Sequence, residues 1–225
     1  MDPVRMLDCI EIEPNGPATA SVIWLHGLGA DGNDFVPIVD ELGLPADHGV
    51  RFVFPNAPVQ PVTINNGMPM RAWYDIKGMA IADKQDAEGI RASAREIEQL
   101  IDREGERGIA PERIVLAGFS QGGAIALHTG LRHARGLAGI MALSTYLPLA
   151  ETLGDEASDA NRGVSILQAH GSQDPVVPMQ LGQASRDHML EAGYDVAWHE
   201  YPMQHQVCMP QIATIGRWLT DRLPA

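Results

Sequence analysis

Two cysteines, Cys9 and Cys208, are too few and too far apart in sequence to staple a fold. A chain of 225 residues needs no such help, because a domain this size buries roughly 70% of its unfolded surface. The two thiols are expected to stay reduced. Positive charge is also scarce: 16 Lys and Arg stand against 29 Asp and Glu, for a net charge of −13. The basic residues form no run, so a polyanion such as nucleic acid is not an expected partner. No apolar stretch approaches the ~20 residues of a membrane span, which excludes stable membrane insertion by a helix. Residues 1–21 lack a basic start followed by an apolar segment. A cytoplasmic protein is the expectation. Repeats, low-complexity tracts and linkers are missing too, so residues 1–225 are expected to form one domain.

What is present is an alternation. Strand-like apolar runs occur at residues 21–26, 50–54, 113–117, 138–143, 165–169 and 195–200. Several are apolar throughout, as strands covered on both faces should be. Helix-like segments separate them, which predicts an α/β fold with a mostly parallel central sheet flanked by helices on both faces. Ile90, Ala94, Ile97 and Ile101 mark one amphipathic helix; Ile212, Ile215, Leu219 and Leu223 mark another near the C-terminus. Asp34 is expected to cap a short helix with Pro37 in its first turn. Residues 56–72 and 147–163 fit neither period. The first is too long for a passive connection and reads as an ordered flap. The second, with Glu151, Asp155, Glu156 and Asp159, reads as a solvated acidic loop.

The strongest local signal is Gly118-Phe119-Ser120-Gln121-Gly122, a G-x-S-x-G nucleophile elbow. A serine hydroxyl is a poor nucleophile unless it is exposed and paired with a base. A sharp strand-to-helix turn provides the exposure, and the flanking glycines leave it room. The motif is weak alone, but here a strand precedes it and the small residues Gly123, Ala124 and Ala126 open a helix after it.

Ester cleavage builds negative charge on the carbonyl oxygen, which two backbone N–H groups usually receive. One donor would be Gln121, just after the nucleophile. The other would be Leu28, in the loop His26-Gly27-Leu28-Gly29-Ala30-Asp31-Gly32 that follows the first strand. The same glycines also spell G-x-G-x-x-G, a dinucleotide fingerprint. That rival requires an acid ending the next strand to hold a ribose, and the chain offers Pro55-Asn56 there. Asp31 and Asp34 would also repel a pyrophosphate.

Hydrolases with this elbow place their triad in the order Ser, acid, His. Among the histidines beyond Ser120, His199 falls inside a strand, while His128, His133 and His188 fall on helices. His205 follows the last strand and is the expected base. Asp174, in the loop after the strand at 165–169, is the expected acid; Pro175 restrains it to extended backbone. Its task is to hold the imidazole tautomer and stabilise the imidazolium. A metal site from His170, Asp174, His199 and His205 is a rival without tight ligand spacing to support it. A hydrolase-shaped binding protein without turnover is another, disfavoured because all three triad members are present.

Residues 21–35, 56–76, 118–124, 170–178 and 201–208, in that order, resemble the phospholipase/carboxylesterase family over nearly the whole chain. The resemblance implies a compact α/β-hydrolase with minimal cap, needing neither cofactor nor metal. It assigns Ser120, Asp174 and His205 to the triad and Leu28 and Gln121 to the oxyanion hole. It also implies a substrate groove drawn from Ile64, Met68, Met70, Trp73, Tyr146 and Val177. The expected activity is hydrolysis of short- to medium-chain carboxylic esters through an acyl-enzyme. The alternative is an acyl-protein thioesterase or lysophospholipase acting on long-chain thioesters or lysolipids. The expected partner is a small ester or thioester, and a homodimer is possible.

Overall fold

The computed structural model describes residues 6–78 and 85–224. Its main sheet has seven strands, β1 (Cys9–Ile12), β2 (Ala20–Leu25), β3 (Val50–Pro55), β6 (Ile114–Phe119), β7 (Gly139–Leu143), β8 (Ile166–Gly171) and β9 (Val196–Tyr201). Their spatial order is β1-β3-β2-β6-β7-β8-β9. Every pairing is parallel except that of β1 with β3. A separate hairpin, β4 (Val59–Val62) with β5 (Met68–Arg71), occupies the segment expected to form a flap.

Period-two alternation sorts the apolar residues of the central strands to opposite faces. Ile23, Leu25, Ile114, Leu116, Ile140 and Ala142 face helices α1 (Ala87–Glu106) and α2 (Gln121–Arg132). Val22, Trp24, Val115, Ala117, Met141 and Leu143 face α5 (Met209–Arg222). Two cores result, one on each side, which is why these strands read as unbroken apolar runs. Two further helices, α3 (Leu153–Glu156) and α4 (Met179–Glu191), lie between β7 and β9 in the chain.

Three local expectations are corrected. Asp34 caps nothing: a 3-10 helix spans Val36–Glu41, Phe35 holds the N-cap position, and no side chain bonds there. His133 lies just beyond α2 with extended backbone rather than on the helix. The acidic stretch is solvated at Glu151, Asp155 and Asp159, which are exposed, but it is not loop throughout and Glu156 is drawn inward. It carries α3 between two 3-10 turns, buries Leu153 and Asn161, and ties Glu156 to Arg91 at 2.9 Å and to Arg132 at 2.7 Å.

Candidate active site

The carboxyl ends of β2, β6, β8 and β9 point to one edge of the sheet, where parallel sheets gather their sites. At the end of β6 the backbone turns sharply into α2, and Ser120 sits in that turn with φ 53°. Non-glycine residues rarely adopt this region, and they do so where neighbours fix them. Here the Ser120 N–H donates to Leu143 O at 2.9 Å, and the Thr145 hydroxyl donates to Ser120 O at 2.6 Å. A Cβ on Gly122 would stand 2.5 Å from the carbonyl oxygens of both Leu25 and His26. Only glycine lets α2 start so close to the end of β2.

His205 Nε2 lies 2.9 Å from Ser120 Oγ, and its Nδ1 lies 2.7 Å from Asp174 Oδ2. The other carboxylate oxygen, Oδ1, accepts the N–H groups of Val176 and Val177 at 2.8 and 2.9 Å. The acid is thus fixed on both oxygens. Its loop is joined to the histidine loop by Ser172 N–H to Tyr201 O and Gln173 N–H to Met203 O. Gly171 permits that approach, since a Cβ there would meet the carbonyls of Met203 and Gln204. Phe119 packs against the imidazole, with ring centroids 4.7 Å apart.

The loop after β2 is held by its neighbours. Gly29 N–H donates to Arg71 O, Ala30 N–H to Gly27 O, and Gly32 N–H to the Asn56 side chain. Among the described residues, the Leu28 and Gln121 N–H groups have no such acceptor, so both remain for a ligand. His26 braces the loop: it accepts the Ala57 N–H at Nε2, and its Nδ1 lies 2.7 Å from Gly27 O, which requires the proton on Nδ1. Burial lowers its pKa, in keeping with a neutral ring. The glycine-rich stretch leads into the short 3-10 helix rather than the α-helix of a dinucleotide fold.

A cavity of ≈ 290 Å³ opens beside Ser120, lined by Leu28, Ile64, Gln121, Tyr146 and Val177 among others. Of the residues expected to form the groove, Met68, Met70 and Trp73 do not line this cavity. Met68 stands 62% exposed on the hairpin. The Met70 thioether lies near Gly29, in the loop after β2, and accepts Asn65 Nδ2. Trp73, 1% exposed, is core: its indole N–H donates to His26 O and its backbone N–H to Gln121 Oε1. Tyr74, Ile76 and Val176 line the cavity and were missed. Tyr74 and Ile76 lie in a segment without regular secondary structure, so no period marks them in the sequence. The Gln121 side chain also donates to Tyr74 O at 2.7 Å, so one residue joins the turn at Ser120 to the cavity wall. His199, proposed in the metal rival, lies on edge strand β9 with its ring against Tyr201.

Comparison with known proteins gives a consistent result. The family model described as Phospholipase/Carboxylesterase matches residues 8–221. The chain is 39% identical over 215 residues to acyl-protein thioesterase 1 of Gibberella zeae, covering 92% of each chain. It is 40% identical to acyl-protein thioesterase 1 of Neurospora crassa, covering 92% of this chain and 88% of that one. The crystal structure of Zea mays acyl-protein thioesterase 2 superposes with a TM-score of 0.85 at 29% identity, over 96% of this chain and 99% of the other.

Proposed function

The chain belongs to the phospholipase/carboxylesterase family of hydrolases, and on that premise we propose that it cleaves acyl thioesters and oxygen esters through an acyl-Ser120 intermediate. The observation that carries this reading is the unbroken series Ser120 Oγ, His205, Asp174, with contacts of 2.9 and 2.7 Å. His205 takes the hydroxyl proton as Ser120 Oγ attacks the carbonyl carbon. Asp174 holds Nδ1–H and stabilises the imidazolium. The developing oxyanion is received by the Leu28 and Gln121 N–H groups, at the start of a helix whose positive dipole end adds to the field. The imidazolium then protonates the departing thiol or alcohol. Water, deprotonated by the same ring, attacks the acyl-enzyme and releases the acid and free Ser120.

The names of the relatives favour thioesters over the short- to medium-chain oxygen esters expected from sequence. One observation keeps the carboxylesterase reading as second: ≈ 290 Å³ is just below the range of ligand cavities, about 300–1,000 Å³. Ile64 and Val176 at the cavity and Met68 on the hairpin are exposed, which supports a homodimer that covers the mouth. The reading includes action in the cytoplasm without a cofactor.

A panel of p-nitrophenyl esters from acetate to palmitate, beside acyl-cysteinyl peptides of the same lengths, tests the assignment. Preference for long thioesters supports the thioesterase; a peak on short oxygen esters replaces it with the second reading. Ser120→Ala should reduce kcat by about a million-fold. Undiminished turnover in that variant, or no labelling of the wild type by a fluorophosphonate, would remove the serine mechanism.

A further inference from the structure

Two phenols meet in the wall of the cavity beside Ser120. The hydroxyls of Tyr74, which is buried, and Tyr146, which is half-buried, are 2.6 Å apart. Burial, and for Tyr74 the adjoining phenol, raise both pKa values above the ordinary range, so both groups keep their protons at neutral pH. The pair therefore holds two hydroxyl hydrogens and uses one between them. Among the described residues, no other protein group bonds to either hydroxyl. One hydrogen is left over.

The pair is held from several sides. Gln121 Nε2 donates to Tyr74 O at 2.7 Å, and Gln121 Oε1 accepts the preceding Trp73 N–H at 2.9 Å. On the facing segment, Thr145 Oγ1 donates to Ser120 O at 2.6 Å and Leu147 N–H donates to Ser185 Oγ at 2.7 Å, bracketing Tyr146. Ile64, Ile76, Val176 and Val177 make the rest of the wall mostly aliphatic. Besides Ser120 and Gln121, its other polar side chain is that of Asn65, and among the described residues neither phenol bonds to that amide.

We propose that the Tyr74–Tyr146 pair selects acyl groups carrying an oxygen atom part-way along the chain, as a hydroxy, oxo or ether group, over plain alkyl acyl groups of equal length. The proposal rests on Ser120 as the acylated nucleophile. Solvent can accept the spare hydrogen when the cavity is empty. A plain chain excludes that solvent and leaves the donor unpaired, whereas a chain oxygen accepts it.

The test compares kcat/KM for p-nitrophenyl alkanoates with analogues in which one methylene, at successive positions, is replaced by an ether oxygen. In the wild type one oxa position should exceed its parent by about tenfold, the scale of one hydrogen bond rescued from an unpaired donor. Tyr74→Phe leaves Tyr146 with a free hydroxyl hydrogen and should retain the preference. The double variant Tyr74→Phe/Tyr146→Phe should bring the series within about twofold and accelerate the plain chains. Thermal melting and fluorophosphonate labelling establish that the variants are folded. A flat series on active wild-type enzyme overturns this proposal alone, whether or not the double variant folds, and so does a preference that survives in a folded double variant. Failure to turn over any ester or thioester would overturn the nucleophile assignment and this proposal with it.

Discussion

The buried imidazole of His170 and the carbonyl of Val177 are 2.8 Å apart, and His170 Nε2 lies 3.6 Å from Asp174 Oδ2. A carbonyl can only accept, so the ring donates from Nε2. Burial lowers the pKa of His170, as expected of a neutral ring. Val177 in turn donates its N–H to Asp174 Oδ1 and puts its side chain into the cavity wall. The cavity and Asp174, the proposed triad acid, therefore share one residue, and His170 holds it.

Replacing His170 by Phe keeps the aromatic volume beside Gly182 and Trp198 and removes the donor. The Val177 carbonyl then loses its partner and the turn around Asp174 loosens. The expected result is a fall in kcat of about 10- to 100-fold with little change in KM, because small misplacements of catalytic groups cost rate on this scale. Steady-state kinetics, with thermal melting to follow stability separately, check this. Unchanged kcat in a folded variant would remove His170 from the catalytic support.

A second prediction concerns pH and lies far from the site. Glu104, fully buried on α1, accepts the Ser21 hydroxyl at 2.5 Å and Arg51 Nη1 at 2.8 Å, and pairs with Arg107 at 2.9 Å. Burial pushes its pKa up, but Ser21, Arg51 and Arg107 together outweigh it, and the net shift is downward. The unfolded carboxyl thus binds a proton at a higher pH than the folded one. The stability it contributes is complete above its ordinary value near 4.5 and is lost as pH falls through the lower folded value. Glu104→Gln should cost about 3 kcal/mol at pH 7, since it leaves Arg51 with only Glu13. Urea unfolding at pH 7 and below pH 4 should show the gap between wild type and variant narrowing in acid. A constant gap would mean that the carboxylate charge is not what stabilises.

The site was legible where chemistry constrains short spacings. The elbow at Ser120, the loop at Leu28 and the loops of Asp174 and His205 each combine a strand end with small residues, and sequence shows both. The central strands were legible because burial on both faces leaves unbroken apolar runs. Strand β1 was not: it is a four-residue, half-buried edge strand, too short for a period to emerge. The hairpin carries Pro61 and Pro69 opposite each other, residues that argue against strands unless the ladder is short and at an edge. The acidic stretch misled at Glu156, which reads locally as solvated like its exposed neighbours Glu151, Asp155 and Asp159, whereas its partners are 65 and 24 residues away. Trp73 misled for the opposite reason. A large apolar ring next to a flap suits a groove wall, and only its bonds to His26 and Gln121 place it beneath the floor.

The close approach of α2 to β2 yields the last prediction, as a contrast between two glycines. Gly122→Ala should gain up to about 1 kcal/mol from helix propensity alone. Its Cβ would instead meet the Leu25 and His26 carbonyl oxygens at 2.5 Å, and backbone cannot yield cheaply there. The start of α2 must move away from β2, carrying the Gln121 N–H away from that of Leu28. Overpacking of this kind typically costs about 1–3 kcal/mol, and kcat should fall by about 100-fold as the two donors separate. A Cβ added to Gly105, inside α1, would meet nothing within 4 Å. Gly105→Ala should therefore be stabilising by about 0.5–1 kcal/mol with kcat unchanged. Melting curves and initial rates on the two variants decide the matter. If Gly122→Ala behaves like Gly105→Ala, the spacing between the two amides is not what the glycine at the elbow protects.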